Sequence, residues 1–206
     1  MIRTFAALAV GLMLLASVAP ARATMDDDFF NFGRLQRQQP QPGRAYPYYG
    51  PGSDYYGGSS SPIPRERVSS PVAQPPGSIY ISTSERRLYL ILGHGEALRY
   101  GIGVGRDGFG WSGTHHITAK KEWPSWTPPA EMRRRRPDLP RYLAGGIENP
   151  LGARAMYLGS SLYRIHGSNE PWTIGTQVSS GCIRLRNEDV VDLYGRVKVG
   201  TKVIVL

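Results

Sequence analysis

The chain has 206 residues, with 25 lysines and arginines against 16 acidic residues and a formal net charge of +9. That length suits one compact domain with extensions, and the single cysteine excludes an internal disulfide. The positive charge suits an anionic partner such as nucleic acid, a membrane surface or an acidic cell-wall polymer.

The first 23 residues have the pattern of a secretory signal peptide. Arg3 supplies a positive start, residues 5–18 are apolar, and Ala21 and Ala23 offer a small-x-small cleavage site. The apolar run is short for a membrane span, and an uncleaved N-terminal anchor is the alternative interpretation. We therefore expect export to the periplasm or cell envelope, and no nucleic-acid partner.

Residues 24–77 have the composition of a disordered linker. Pro, Gly, Ser and Gln are frequent and aliphatic residues are few, so the segment cannot bury enough apolar surface to offset its conformational entropy. At Ser78 the sequence changes to alternating apolar residues. We place the folded domain at residues 78–206 and expect the linker to be dispensable for its chemistry.

Short β-prone runs separated by Gly and Pro follow in the domain. They are residues 79–81, 88–92, 97–104, 114–118, 155–158, 162–166 and 202–206. One helix is predicted, with Asn187 as its N-cap and Gly195 at its end. The basic run Arg133–Arg136 is interpreted as a solvated loop. This pattern predicts a mainly β, sandwich- or barrel-like domain with one or two short helices.

A cysteine and a histidine sixteen residues apart carry the chemistry that the sequence suggests. A thiol is a nucleophile as its thiolate, and a nearby imidazole such as His166 can take the proton of Cys182. Gly181 allows a sharp turn whose amides can point at one oxyanion. An imidazolium partner would lower the pKa of the thiol; a neutral imidazole acting as general base is the alternative. In isolation, the two residues would be better explained as a satisfied surface histidine and a small buried thiol.

Four histidines accompany the cysteine, so a metal site has to be considered. His115 and His116 are consecutive on a predicted strand and therefore face opposite sides. No pair has the spacing of a zinc site. We expect no metal and no cofactor.

The residues around the thiol resemble the catalytic signature of the L,D-transpeptidase family. His166-Gly167 is followed by Ser179–Arg184, which reads Ser-x-Gly-Cys-Ile-Arg, and Asn187 opens a helix. The similarity extends over residues 78–206. One familiar position differs, because Ser180 stands where many relatives carry histidine or arginine.

The resemblance implies a reaction and the residues that perform it. These enzymes form a cysteinyl thioester at the third residue of a peptidoglycan stem peptide, release D-alanine, and pass the acyl group to an amine of a second stem peptide as a 3–3 crosslink. Cys182 would be the nucleophile and His166 the base and then the acid. The backbone of Gly167 would orient the imidazole, and amides around Gly181 and Cys182 would form the oxyanion site.

The resemblance also implies four substrate-binding residues: Ser179, Ser180, Arg184 and Trp172. Bracing of the catalytic loop is the alternative role for Arg184, and loop packing is the alternative for Trp172. The partners would be a donor and an acceptor stem peptide, and we expect a monomer.

Three other functions remain open from the sequence. One is an L,D-carboxypeptidase or other hydrolase, in which water replaces the acceptor amine. Another is an enzyme that attaches an envelope protein to the wall or releases it. The third, from a different class, is a non-catalytic wall-binding module, against which the intact His166 and Cys182 argue.

Overall fold

The computed structural model describes residues 63–206, which form eleven strands and two α-helices. The strands are β1 (Glu66–Ser69), β2 (Ile79–Ser82), β3 (Arg87–Gly93), β4 (Glu96–Gly101), β5 (Val104–Gly105), β6 (Gly113–Glu122), β7 (Arg154–Leu158), β8 (Arg164–His166), β9 (Gln177–Ser179), β10 (Ile183–Arg184) and β11 (Lys202–Val205). The helices are α1 (Ala130–Arg135) and α2 (Asn187–Arg196), and a 3-10 helix spans Pro171–Thr173. The predicted signal peptide, residues 1–23, and residues 24–62 of the predicted linker lie outside this part of the chain.

Nine strands form one sheet in the order β1-β4-β3-β2-β11-β6-β7-β8-β10, while β5 and β9 pair separately. Neighbours in the large sheet are antiparallel, except that β11 runs parallel to β2 and β10 runs parallel to β8. The order does not return from β10 to β1, so the sheet is open rather than a closed barrel. The predicted mainly β class with short helices is confirmed. None of the helices in residues 63–206 has the length and apolar character needed to cross a membrane.

Strand β3 is buried on both faces, which explains how the sheet is covered. Leu88 and Leu90 face the main core, and the alternate residues Tyr89 and Ile91 face a second cluster. Helix α2 contributes Val190 and Leu193 to the main core. The helix that follows the Cys182 segment and β10 is thereby fixed to the centre of the domain.

Asn187 has a different role from the one predicted. It is the first residue of α2, Arg186 occupies the cap position, and no side chain caps the helix. The Asn187 Oδ1 instead accepts hydrogen bonds from the backbone N–H groups of Ala153, at 2.9 Å, and Ser168, at 3.3 Å. The N-cap prediction is wrong because this buried carboxamide holds two neighbouring loops together.

The basic run predicted as a loop is mostly helical. Helix α1 contains Arg133, Arg134 and Arg135, and Arg135 forms an i,i+4 ion pair with Glu131. The helix lies in an excursion between β6 and β7 that has its own small core. That core contains Trp126, Leu139 and Leu151, with Met132 and Leu143 packed against it.

The linker prediction is wrong for residues 63–77, because part of this segment completes the sheet. β1 pairs antiparallel with β4, and Val68 and Val72 cover the second cluster beside Tyr89 and Ile91. A fifteen-residue segment with Ile63, Val68 and Val72 as its only large aliphatic side chains is short of core-forming residues by itself. It is ordered here because a finished sheet offers it a hydrogen-bonding edge and an apolar face.

Arg65 connects the same segment to α2. Its Nη1 lies 3.6 Å from Oδ1 of Asp189, which is 1% exposed, and 3.3 Å from Oδ2 of Asp192. A buried carboxylate needs compensating charge, and Asp189 receives it from Arg65 and from Arg186. The segment before Ser78 therefore stabilises α2, the helix that follows β10.

A chain beginning at Ile63 should unfold in urea at the same midpoint as the full chain, whereas a chain beginning at Pro76 should be less stable by about 3 kcal/mol. The shorter chain loses β1, the cover over Tyr89 and Ile91, and the Arg65 partner of Asp189. Urea unfolding followed by circular dichroism measures the difference. Equal midpoints for the two truncated chains would show that residues 63–75 are a passive extension.

Candidate active site

The parallel pairing of β8 with β10 brings the predicted nucleophile and base together. Ile183 pairs with Ile165 and Arg184 pairs with His166, and the Leu185 N–H donates to the His166 carbonyl at 2.8 Å. Cys182 directly precedes β10, and His166 is the last residue of β8. Both side chains line one cavity of about 550 Å³. The thiol is partly exposed, whereas the imidazole is buried.

The imidazole of His166 is held by the next residue in the chain. Its Nδ1 lies 2.6 Å from the carbonyl oxygen of Gly167. A carbonyl oxygen only accepts hydrogen bonds, so Nδ1 carries the proton and donates. In the neutral ring Nε2 is then free to accept a proton, as a general base requires.

Burial lowers the pKa of His166 to about 3, and the positive charge of Arg184 acts in the same direction. The hydrogen bond to Gly167 opposes this shift and is outweighed. The resting imidazole is therefore neutral near pH 7. This favours the general-base alternative over a resting imidazolium–thiolate pair.

Ser179 fixes the turn that carries the thiol. Its hydroxyl donates to the Cys182 carbonyl at 2.6 Å and accepts from the Gly181 N–H at 3.1 Å. Ser179 lines the cavity, but it is 1% exposed and its hydroxyl is engaged with the backbone. The structure thus gives it a bracing position rather than the predicted substrate-binding one. The Gly181 amide is also occupied, which corrects its predicted place in the oxyanion site.

Gly181 is required by the close packing of the turn. Its φ is +106°, and an added Cβ would lie 2.6 Å from the Cε1 atom of Tyr163. Trp111 stacks on Tyr163 with ring centroids 4.3 Å apart and donates from Nε1 to the Gly181 carbonyl at 2.5 Å. Two aromatic side chains therefore pack against the turn that Ser179 braces by hydrogen bonds.

Arg184 lies in the cavity wall with a partner that the sequence analysis missed. It is 3% exposed, and its Nη1 lies 3.2 Å from Oε2 of Glu170. Burial raises the pKa of Glu170, while the charge of Arg184 opposes the shift. The sequence does show an acidic residue, Glu170, in the polar loop after His166-Gly167. No local pattern, however, relates Glu170 to Arg184, which lies fourteen positions later in the chain.

Two other predicted substrate-binding residues behave differently from each other. Ser180 lines the cavity. Trp172 is not among the cavity-lining residues; it lies in the 3-10 helix and is 62% exposed. The apolar wall predicted from Trp172 is instead supplied by the α1 excursion, through Trp126, Met132 and Leu151.

Residues 63–206 contain no group of three or more His, Cys, Asp or Glu side chains placed to hold a metal ion.

The chain is similar in sequence to one protein family and to several curated proteins. The family model described as the L,D-transpeptidase catalytic domain matches residues 76–205. The probable L,D-transpeptidase ErfK/SrfK of Escherichia coli is 36% identical over 168 residues, which are 76% of this chain and 53% of that protein. The probable L,D-transpeptidase YbiS of Escherichia coli is 38% identical over 165 residues, with shares of 74% and 52%. The chain thus spans about half the length of these curated relatives.

Among solved structures, one from Brucella melitensis is titled a probable carnitine operon oxidoreductase. It is 43% identical, covers 74% of this chain and 99% of its own, and superposes with a TM-score of 0.49. We infer no chemistry for the present chain from that superposition.

Replacing Gly181 with alanine should slow acylation of Cys182 about a hundredfold, because the added methyl group displaces the turn from Tyr163. Stability should also fall, by about 2 kcal/mol, since the residue has positive φ. Gly195→Ala is the matched control: it lies in α2 with open space around it and should be neutral or slightly stabilising. Acylation followed by intact-protein mass spectrometry, with thermal unfolding, tests both. Equal acylation rates in the two variants would remove the role assigned to the turn.

The acylation rate of Cys182 should change little between pH 7 and pH 4. The base acts in its neutral form, and with a pKa of about 3 His166 keeps that form until the pH falls through 3. An ordinary histidine would be mostly protonated at pH 5.5 and would lower the rate about tenfold. The measurement is the acylation rate with an activated ester across this range, with His166→Gln as the control. A tenfold fall centred near pH 6.5 would contradict the buried, neutral base.

Proposed function

We propose that this chain, which belongs to the L,D-transpeptidase catalytic domain family, is a peptidoglycan L,D-transpeptidase that works through a cysteinyl thioester. The observation that carries the proposal is the shared cavity of Cys182 and His166, with His166 Nδ1 bound to the Gly167 carbonyl. That hydrogen bond leaves Nε2 as the proton acceptor in a cavity that also contains a partly exposed thiol.

In the first half of the reaction, the donor stem peptide places the carbonyl carbon of its third residue at Cys182. His166 Nε2 takes the thiol proton as the sulfur attacks, and a tetrahedral oxyanion forms. Collapse breaks the amide bond to D-alanine, and the imidazolium returns the proton to the leaving amine. The product is a thioester between Cys182 and the donor.

In the second half, the side-chain amine of an acceptor stem peptide attacks the thioester. Neutral His166 removes a proton from the attacking amine and then delivers one to the departing Cys182 sulfur. A new amide links the third residues of two stem peptides as a 3–3 crosslink. Water as the attacking group would give a tripeptide and a carboxypeptidase instead.

The oxyanion has to be bound by groups that the turn leaves available. The Gly181 N–H is bound to Ser179, so we assign the developing charge to the Cys182 backbone N–H rather than to Gly181. Arg184 lies in the same wall and stabilises negative charge at longer range. This assignment keeps the turn intact during the reaction.

We place this reaction in the cell envelope, where its peptidoglycan partners are. The supporting feature is the signal-like pattern of residues 1–23, with Ala21 and Ala23 as the cleavage site. A donor and an acceptor stem peptide are the proposed partners, with an envelope protein as an alternative acceptor.

Incubation with disaccharide-tetrapeptides tests the proposal directly. Mass spectrometry should detect a crosslinked dimer that has lost one D-alanine, and a protein adduct at Cys182. Cys182→Ala should abolish both products while the protein remains folded, because the thiol is partly exposed. His166→Gln should slow acylation by about a hundredfold to ten-thousandfold near pH 7. Tripeptide alone would indicate hydrolysis, and crosslinking by Cys182→Ala would refute the mechanism.

A further inference from the structure

Three arginine side chains line the cavity of Cys182, and they differ in how their charge is compensated. Arg135 is paired with Glu131, and Arg184 is paired with Glu170. Within residues 63–206, no carboxylate lies within 4.0 Å of the guanidinium of Arg164. The wall beside the nucleophile therefore carries one positive charge without a matched negative charge.

Arg164 lies close to the reacting atoms. It is two positions before His166 on β8, so both side chains belong to the same face of the strand. Its Nη1 donates to the Leu162 carbonyl at 2.9 Å, and the Sγ of Cys182 lies 3.9 Å from that same oxygen. Because both atoms contact the same oxygen, the distance between Arg164 Nη1 and Cys182 Sγ cannot exceed the sum of these two distances.

The surroundings of Arg164 hold it in place without neutralising it. Its Cζ lies 5.2 Å from the ring centroid of Tyr157, which is its cross-strand partner on β7. After burial and the charge of Arg184, the charge of Arg164 also contributes to the lowered pKa of His166. The cation is therefore oriented by an aromatic ring and electrostatically coupled to the base.

Buried polar atoms of Arg164 and Ser180 in this wall lack a hydrogen-bond partner in the described part of the chain. They are Nε of Arg164 and Oγ of Ser180. Unmatched buried polar atoms are uncommon and cost folding free energy. At the wall of a reactive cavity, they are the kind of groups that a ligand with several acceptor oxygens satisfies after a small side-chain adjustment.

We propose that Arg164, assisted by Ser180, binds a carboxylate of the donor stem peptide, so that the enzyme selects donors with a free carboxylate over carboxamide donors. A carboxylate supplies both the missing charge and two acceptor oxygens for a guanidinium. This inference rests on the proposed function. It assigns a substrate feature to a residue outside the Ser-x-Gly-Cys segment.

Two carboxylates of the donor can reach this position. The carboxylate of the leaving D-alanine is three bonds from the scissile carbonyl carbon, and that of the diaminopimelate side chain is six bonds away. Either carboxylate can therefore reach Arg164 while the scissile carbonyl carbon lies at Cys182, because Arg164 Nη1 and Cys182 Sγ both contact the Leu162 carbonyl oxygen. The chemistry is the same in the two cases, so the donors used in the test have to separate them.

The test compares kcat/KM of the wild type and Arg164→Gln on three tetrapeptide donors. One carries both carboxylates, one has the D-alanine carboxamide, and one has the diaminopimelate carboxamide. We expect Arg164→Gln to lose roughly tenfold to a hundredfold on the free donor, the range of a charged hydrogen bond. The kcat/KM of the wild type should be lower by a similar factor on one of the two amidated donors than on the free donor. The kcat/KM of Arg164→Gln should be nearly the same on that amidated donor as on the free donor. The donor that shows this loss identifies the bound carboxylate.

Arg134→Gln is the matched control, because it removes the same charge from an exposed position on α1 that does not line the cavity. It should retain the wild-type preference between donors. Arg164→Lys keeps the charge without the planar fork and should fall between the wild type and Arg164→Gln. Ser180→Ala should lose a smaller factor than Arg164→Gln on the free donor. An equal loss on all three donors for Arg164→Gln and Arg164→Lys would overturn the inference.

Equilibrium binding separates this inference from the proposed function. In a Cys182→Ala background, calorimetry should show the free tetrapeptide binding more tightly than the amidated one, with the difference removed by Arg164→Gln. Loss of turnover in the wild type with this binding pattern intact would reject the transpeptidase proposal and support the carboxylate site. Turnover by the wild type with equal binding of all donors would reject the carboxylate site alone.

Discussion

The site depends on the parallel pairing of two very short strands, β8 and β10. This pairing sets Arg184 beside His166, and the thiol of Cys182 enters the cavity one residue before β10 begins. A parallel pair needs a crossover, and here the crossover from His166 to Cys182 contains the 3-10 helix, Glu170 and β9. A slip of one residue would reverse which side chains face the cavity. The core residues Ile165 and Ile183 oppose such a slip, because both are buried in the main core.

Asn187 links that pairing to the rest of the domain. A Cβ atom added to Gly152 would lie 2.3 Å from the Asn187 Oδ1, and one added to Gly167 would lie 2.2 Å from it. Both distances are too short for a side chain to fit. The carboxamide thus requires glycine in both facing loops, and it fixes the backbone of the residue whose carbonyl orients His166. Through α2, the same residue is tied to Val190 and Leu193 in the core. Orientation of the His166 imidazole is therefore supported by packing far from the thiol.

The sequence predicted features that depend on local patterns. The runs at 79–81 and 88–92 became β2 and β3, and the thiol and imidazole lie on one cavity. Features that depend on distant partners were missed. Strand β1 has a polar sequence and is ordered by its pairing with the edge of β4. The predicted run 97–104 is divided between β4 and β5. Glu170 shows no local sign of its pairing with Arg184. The exposure of Trp172, which lies in the 3-10 helix, likewise has no sign in the local composition.

The neutral resting histidine has a consequence for the durability of the protein. Peroxides oxidise thiolates far faster than thiols, and the oxidised forms beyond sulfenic acid are not recovered. A permanently charged imidazolium beside Cys182 would keep the sulfur in its vulnerable form between turnovers. With the ring neutral and its Nδ1 proton committed to Gly167, His166 adds no permanent charge to those of Arg164 and Arg184 in the cavity wall. The burial of the proposed base therefore removes one of the charges that would favour irreversible oxidation of the single cysteine while the enzyme is idle.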